Sequence, residues 1–141
     1  MPPPYRGSCL CNAVRFEADR FAPQNAHCHC SMCRKFHGAA FATLAEVADD
    51  DFRWIAGEDL LRAYTADNGT TRQFCSICGS SLTFADAGED PGIVEISLAC
   101  FDDEVPVVPD AHIYVDYGVG WVEPGDGLPQ YGDGRDSKRI K

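Results

Sequence analysis

Apolar and polar residues alternate over short stretches of this chain and never settle into a helical period. Residues 13–18, Ala-Val-Arg-Phe-Glu-Ala, alternate in part, the period-2 signature of a strand with one buried face. Comparable runs predict strands over 39–44, 60–65, 70–74, 81–84, 93–98 and 112–117. Asp67-Asn68-Gly69 lies between two of them and predicts a hairpin turn, because Asn and Gly tolerate positive φ. Helix is expected only as short turns, after Ser31 and over 49–54, where Asp49-Asp50-Asp51 suits a helix N-terminus. The pattern therefore predicts a mainly β fold of small antiparallel sheets with one or two short helical turns. Residues 123–134 are dense in Gly, Pro and Asp and predict a loop, and 135–141 a frayed polar tail. A single domain is expected over 1–134.

The cysteines add what the strand pattern lacks. Seven of the eight fall into three clusters: Cys9 and Cys11; Cys28, Cys30 and Cys33; Cys75 and Cys78. Thiolate is a preferred zinc ligand, and structural sites draw four ligands from two short knuckles. One split of the seven gives a closed four-thiolate site and an open three-thiolate site, whose free position a ligand can take. Disulfides, inert buried thiols and iron–sulfur ligation compete with this reading. Pairs one residue apart rarely reach disulfide geometry without strain. The opening Met1-Pro2-Pro3-Pro4-Tyr5-Arg6 leads into no apolar run, so a reducing, cytoplasmic setting is expected. Zinc is the favoured reading.

Composition narrows the partners. At 141 residues with 45% hydrophobic content, one domain can bury about two-thirds of its unfolded surface. No apolar stretch approaches the ~20 residues of a membrane helix. A formal charge of −10 and a pI near 4.6 repel phosphate backbones, so nucleic acid is not an expected partner. Seven thiolates would bring more negative charge than two zinc ions cancel.

Gly7-Ser8-Cys9-Leu10-Cys11-Asn12-Ala13-Val14-Arg15-Phe16 resembles the opening motif of the glutathione-dependent formaldehyde-activating family, which includes centromere-protein-V-like domains. Cys28-His29-Cys30-Ser31-Met32-Cys33-Arg34-Lys35 with Gly38-Ala39-Ala40-Phe41, and Phe74-Cys75-Ser76-Ile77-Cys78-Gly79-Ser80, are similar to its central and third motifs. Asp110-Ala111-His112-Ile113, Trp121-Val122-Glu123 and Leu128-Pro129-Gln130-Tyr131 resemble its closing segment. The resemblance implies a β-tent fold pinned by zinc knuckles, with two zinc ions per chain. Cys9, Cys11, Cys75 and Cys78 would hold a structural zinc, and Cys28, Cys30 and Cys33 an open or catalytic one. It also implies a carbon–sulfur lyase, S-hydroxymethylglutathione synthase-like, with a small-molecule thiol and aldehyde as partners. The alternative is a non-catalytic zinc module that carries a thiol or binds a protein. Cys100 falls outside the motifs and is expected to be a buried small hydrophobe.

Thiol activation alone accounts for little. A free thiol is about 3% thiolate at pH 7, so full deprotonation gains roughly 30-fold. The accompanying loss of nucleophilicity takes back close to tenfold for a two-unit fall in pKa. Holding aldehyde and thiol together must supply the rest. His27 and His29 are the candidates for moving a proton, since they border the central cysteines, and Arg34 is the candidate for a ligand carboxylate. Lys35 reads as solvated surface charge, and His37 and His112 as structural. Phe36, Phe41, Trp54, Tyr64 and Trp121 are expected in the core or on a pocket wall.

Overall fold

The computed structural model describes residues 2–86 and 92–141, which divide into two compact units, residues 1–23 with 45–107 and residues 24–44 with 108–141.

In the first unit, β1 (Tyr5–Ser8), β2 (Arg15–Ala18) and β5 (Phe52–Ala56) form an antiparallel sheet in the order β1-β2-β5. A second antiparallel sheet is the meander β6 (Leu61–Thr65), β7 (Thr71–Cys75), β8 (Ser81–Ala85) and β9 (Ile93–Ser97). The Asp67-Asn68-Gly69 turn joins β6 to β7, and the Asn68 carboxamide oxygen accepts from the Thr70 N–H and hydroxyl. Val14, Phe16, Ala18, Val47, Leu82 and Ile96 form a buried core together with Cys9 and Cys75. Trp54 and Phe101 meet Phe16 edge-on at 6.0 and 5.2 Å, a favourable aromatic geometry. Cys9 and Cys75 are thus rooted in the packed centre of this unit.

The second unit contains β3 (Ala26–Cys28), the helix α1 (Ser31–His37), the start of β4 (Ala42–Ala48) and β10 (Ala111–Ile113). β3 pairs antiparallel with β4 and parallel with β10. The register sets His27 opposite both His112 and Thr43.

The mainly β expectation describes the chain, with four differences. Of the stretch 49–54 expected to be a helical turn, Asp49–Asp51 forms a 3-10 turn and the second half belongs to strand β5. The strand expected over 112–117 stops at Ile113, and Val115–Tyr117 is a 3-10 turn after Tyr114, whose φ is +57°. The β3–β10 pair is parallel, not antiparallel. The tail is not frayed: Ile140 and Lys141 donate to the Gln130 carbonyl, and Gln130 donates to the Lys141 carbonyl.

Candidate metal centres and a histidine cluster

The first thiol cluster joins two tight turns. Cys9 and Cys11 follow β1, while Cys75 ends β7 and Cys78 lies in the turn after it. Each turn is shaped by backbone N–H groups donating to sulfur, Val14 to Cys9 Sγ at 3.3 Å and Ile77 to Cys75 Sγ at 3.4 Å. Each second cysteine precedes a residue in the left-handed region, Asn12 at φ +68° and Gly79 at +79°, where Asn and Gly fit with least strain. The four sulfurs lie within 4.8 Å of one another. The Cys9–Cys11 and Cys11–Cys75 separations are 3.5 and 3.9 Å. A zinc–sulfur bond of ~2.3 Å gives a tetrahedron with edges of about 3.8 Å, so the donor set fits zinc. These separations are far beyond a disulfide bond of ~2.05 Å, and all eight cysteines are free thiols.

The second cluster comes from one short segment. Cys28 ends β3, Cys30 caps α1, and Cys33 lies in its first turn. The Cys30 sulfur accepts from the Cys33 N–H at 3.3 Å, and the Cys30 carbonyl accepts from the Arg34 N–H. The three sulfurs also lie within 4.8 Å of one another. Hydrogen bonds from the Cys28 and Cys33 thiols pull Cys30 far down, while contact with Cys30 pushes Cys28 far up. Metal binding to such a cluster releases whatever protons its thiols still hold. Both clusters can hold metal ions.

His27 and His29 do not join the thiols. They pack with His112 and Phe41, His27 against His112 at 4.6 Å between ring centroids and His29 against Phe41 at 4.8 Å. His27 Nδ1 is 2.7 Å from Thr43 Oγ1. His29 Nε2 is 2.8 Å from His112 Nδ1, and His112 Nε2 is 2.8 Å from Asp126 Oδ2. His29 and His112 are 2% and 1% exposed, so this pair is inside the unit. Burial first, then His112 and His27, lowers His29 to about 4, and burial lowers His27 as well. The hydrogen bond from His112 holds Asp126 below the ordinary carboxylate range. His112, expected to be merely structural, is the middle of this chain. Asp126 was not foreseen, because it sits in a Gly/Pro-rich loop with no motif around it.

The remaining expectations divide. Arg34 is half-buried, and its Nε donates to the Tyr117 carbonyl at 3.2 Å. Lys35 is exposed, and His37 packs edge-on to Phe36. Trp121 and Tyr64 are 74% and 59% exposed, which removes them from any core. Cys100 is half-buried against the first unit's core, and desolvation pushes its thiol up to about 11.

The family model described as glutathione-dependent formaldehyde-activating enzyme matches residues 4–117. The chain belongs to this family. A Halomonas elongata protein named "Putative glutathione-dependent formaldehyde-activating enzyme" is 32% identical over 124 residues, covering 83% of this chain and 78% of that protein. A Schizosaccharomyces pombe protein named as an uncharacterized lyase is 27% identical over 115 residues, 81% of this chain and 80% of its own. A crystal structure of a Rhodobacter sphaeroides protein superposes with a TM-score of 0.61 at 25% identity, covering 74% of this chain and 97% of that one. The match from residue 4 to 117 takes in all seven clustered cysteines, His27, His29 and His112, and stops before Asp126.

Proposed function

We propose that this protein is a zinc-dependent carbon–sulfur lyase-type enzyme that acts on the adduct of glutathione, or a related thiol, with formaldehyde or another small aldehyde. In the condensing direction the thiol sulfur forms a bond to the carbonyl carbon, and the thiol proton ends on the carbonyl oxygen. The reverse direction breaks that carbon–sulfur bond and returns the proton to sulfur. Cys9, Cys11, Cys75 and Cys78 hold a structural zinc, and Cys28, Cys30 and Cys33 hold the second. A zinc ion on three thiolates supplies thiol activation by favouring the deprotonated form of a sulfur ligand. Arg34, directly after Cys33, offers a cation for a glutathione carboxylate against the protein's overall negative charge. His29 is the candidate for contact with the migrating proton, and His27, engaged by Thr43, supports the ring packing around it.

The observation that carries this reading is the unequal donor count. Among the described residues, one cluster has four cysteines and the other three. The test is two-dimensional NMR exchange between free formaldehyde hydrate and S-hydroxymethylglutathione with catalytic amounts of zinc-loaded protein. The expected result is exchange that rises linearly with protein and is lost in Cys30→Ser. Glutathione binding without acceleration would replace the enzyme with a thiol-carrying module. No binding at millimolar glutathione would overturn both.

A further inference from the structure

We propose that Asp126 and His112 are positioning residues that fix the tautomer of His29, so that His29 presents an unprotonated Nδ1 to the hydroxyl or thiol of the substrate. This deepens the reading above and rests on it for the identity of that substrate. The inference follows from hydrogen-bond polarity along one chain of atoms. An ionised carboxylate can only accept, so the 2.8 Å contact with Asp126 Oδ2 places a proton on His112 Nε2. A neutral imidazole with a proton on Nε2 has a bare Nδ1. With His112 neutral, as the proposal takes it to be, the 2.8 Å contact between His112 Nδ1 and His29 Nε2 carries the His29 proton on Nε2. That leaves His29 Nδ1 without a proton.

The surroundings of this nitrogen support a use for it. None of the described residues donates to it, yet among them no buried side-chain nitrogen or oxygen lacks a partner. His29 Nδ1 is therefore not fully enclosed, although the residue as a whole is only 2% exposed. It opens beside Gly118, where a Cβ would stand 3.4 Å from it. A side chain at that position would narrow the approach. The preceding residue is held in place by Arg34, whose Nε bonds the Tyr117 carbonyl. The opening is thus flanked by the cation proposed for a glutathione carboxylate, on a segment whose cysteines include Cys28 and Cys30 on either side of His29. A hydrogen-bond acceptor with a fixed direction suits a hydroxyl or thiol that must be held during bond exchange.

The competing use of these side chains is a third metal site. His27, His112 and Asp126 each bring one ligand atom within 4.8 Å of the others. Both His112 nitrogens are already engaged, Nε2 with Asp126 and Nδ1 with His29, so a metal would have to break one of the contacts that order the chain.

The test uses ring-nitrogen 15N spectra of the zinc-loaded protein at neutral pH, which distinguish an N–H from a bare nitrogen in each histidine. The expected pattern is a proton on Nε2 and none on Nδ1 in both His112 and His29. A proton on His29 Nδ1, or on both nitrogens of His112, would overturn the proposal. So would a further equivalent of zinc that binds and shifts His112 Nε2, which would mark a metal site instead. Asp126→Asn supplies the second arm, because a carboxamide can donate to Nε2 and reverse the chain. It should lower the turnover rate for adduct exchange by about tenfold or more while KM for glutathione changes less than about threefold, and Asp126→Glu should restore most of the rate. Wild-type turnover in Asp126→Asn would refute the role. If even the wild type accelerates nothing, the proposed function fails, and the nitrogen spectra alone still decide the tautomer.

Discussion

The four-thiol and three-thiol clusters use the same donor chemistry on chain segments of very different length. Cys11 and Cys75 are 64 positions apart, whereas Cys28, Cys30 and Cys33 lie within six residues. Loop-closure entropy grows as the logarithm of length, so the longer loop is harder to close by roughly 2 kcal/mol. A metal that closes it ties two turns of the first unit together at the edge of its core, with Cys9 and Cys75 buried and Cys11 exposed. A metal on the short segment constrains little chain beyond a helix turn. The first arrangement suits structure and the second suits ligand exchange. Equal numbers of cysteines would not have revealed this; the distance between them in the sequence does.

The largest effect that can break the comparison is on stability. Structural zinc sites contribute on the order of 10 kcal/mol of apparent binding free energy. Cys75→Ser should therefore lose most of the thermal stability of the first unit, and a strong chelator should do the same to the wild type. Cys30→Ser should melt close to the wild type but bind one zinc fewer by elemental analysis. Equal melting losses in both variants would erase the distinction between the clusters.

The effect of Arg34→Ala is on ligand affinity. It should weaken glutathione binding roughly 3- to 10-fold at low salt while leaving a small neutral thiol such as mercaptoethanol nearly unaffected, and the difference should shrink at higher ionic strength. Calorimetry with both thiols measures it. Equal losses for both would assign Arg34 to holding the Tyr117 carbonyl alone.

A pH effect separates carboxylate from thiol titration in the first unit. Burial, reinforced by Glu46 and Asp86, pushes Glu95 on β9 up to about 7. A raised acid pKa means the folded state binds the proton more tightly than the unfolded chain. Its contribution is complete below about pH 4.5 and is lost as pH rises through about 7. Glu95→Gln should flatten that decline, by about 3 kcal/mol between the two limits. Thiol–metal sites act in the opposite sense, since acid protonates their ligands and releases the metal. Melting curves of Glu95→Gln from pH 5 to 8 resolve the two, and an unchanged slope would remove Glu95 from the explanation.

The joining of the first and third cysteine groups across 64 positions was implied only by the family resemblance, whereas the three groups themselves were legible in the sequence because their spacing is local. The hairpin at Asn68-Gly69 was legible for the same reason. Strand β5 was not, since an acidic triplet precedes five residues whose alternation is too short to outweigh it. The histidine cluster was only half visible. His29 and His27 were marked by their place beside cysteines, but their partner His112 is 83 positions from His29. What unites them is the parallel pairing of two three-residue strands, β3 and β10. Such short strands carry almost no periodic signal. Asp126 reaches His112 from a loop 14 positions later, and loop conformation is set by tertiary contacts rather than by pattern. The same limit explains Trp121 and Tyr64, whose aromatic character suggested burial that the fold does not provide.

The most direct test of unequal roles is 113Cd NMR of the cadmium-substituted protein during a glutathione titration. Two thiolate-bound resonances are expected, one of which disappears in Cys30→Ser. Glutathione should shift that resonance and leave the other in place. Movement of the resonance that persists in Cys30→Ser, or no movement of either at millimolar glutathione, would contradict an open thiol-exchanging site at Cys28, Cys30 and Cys33.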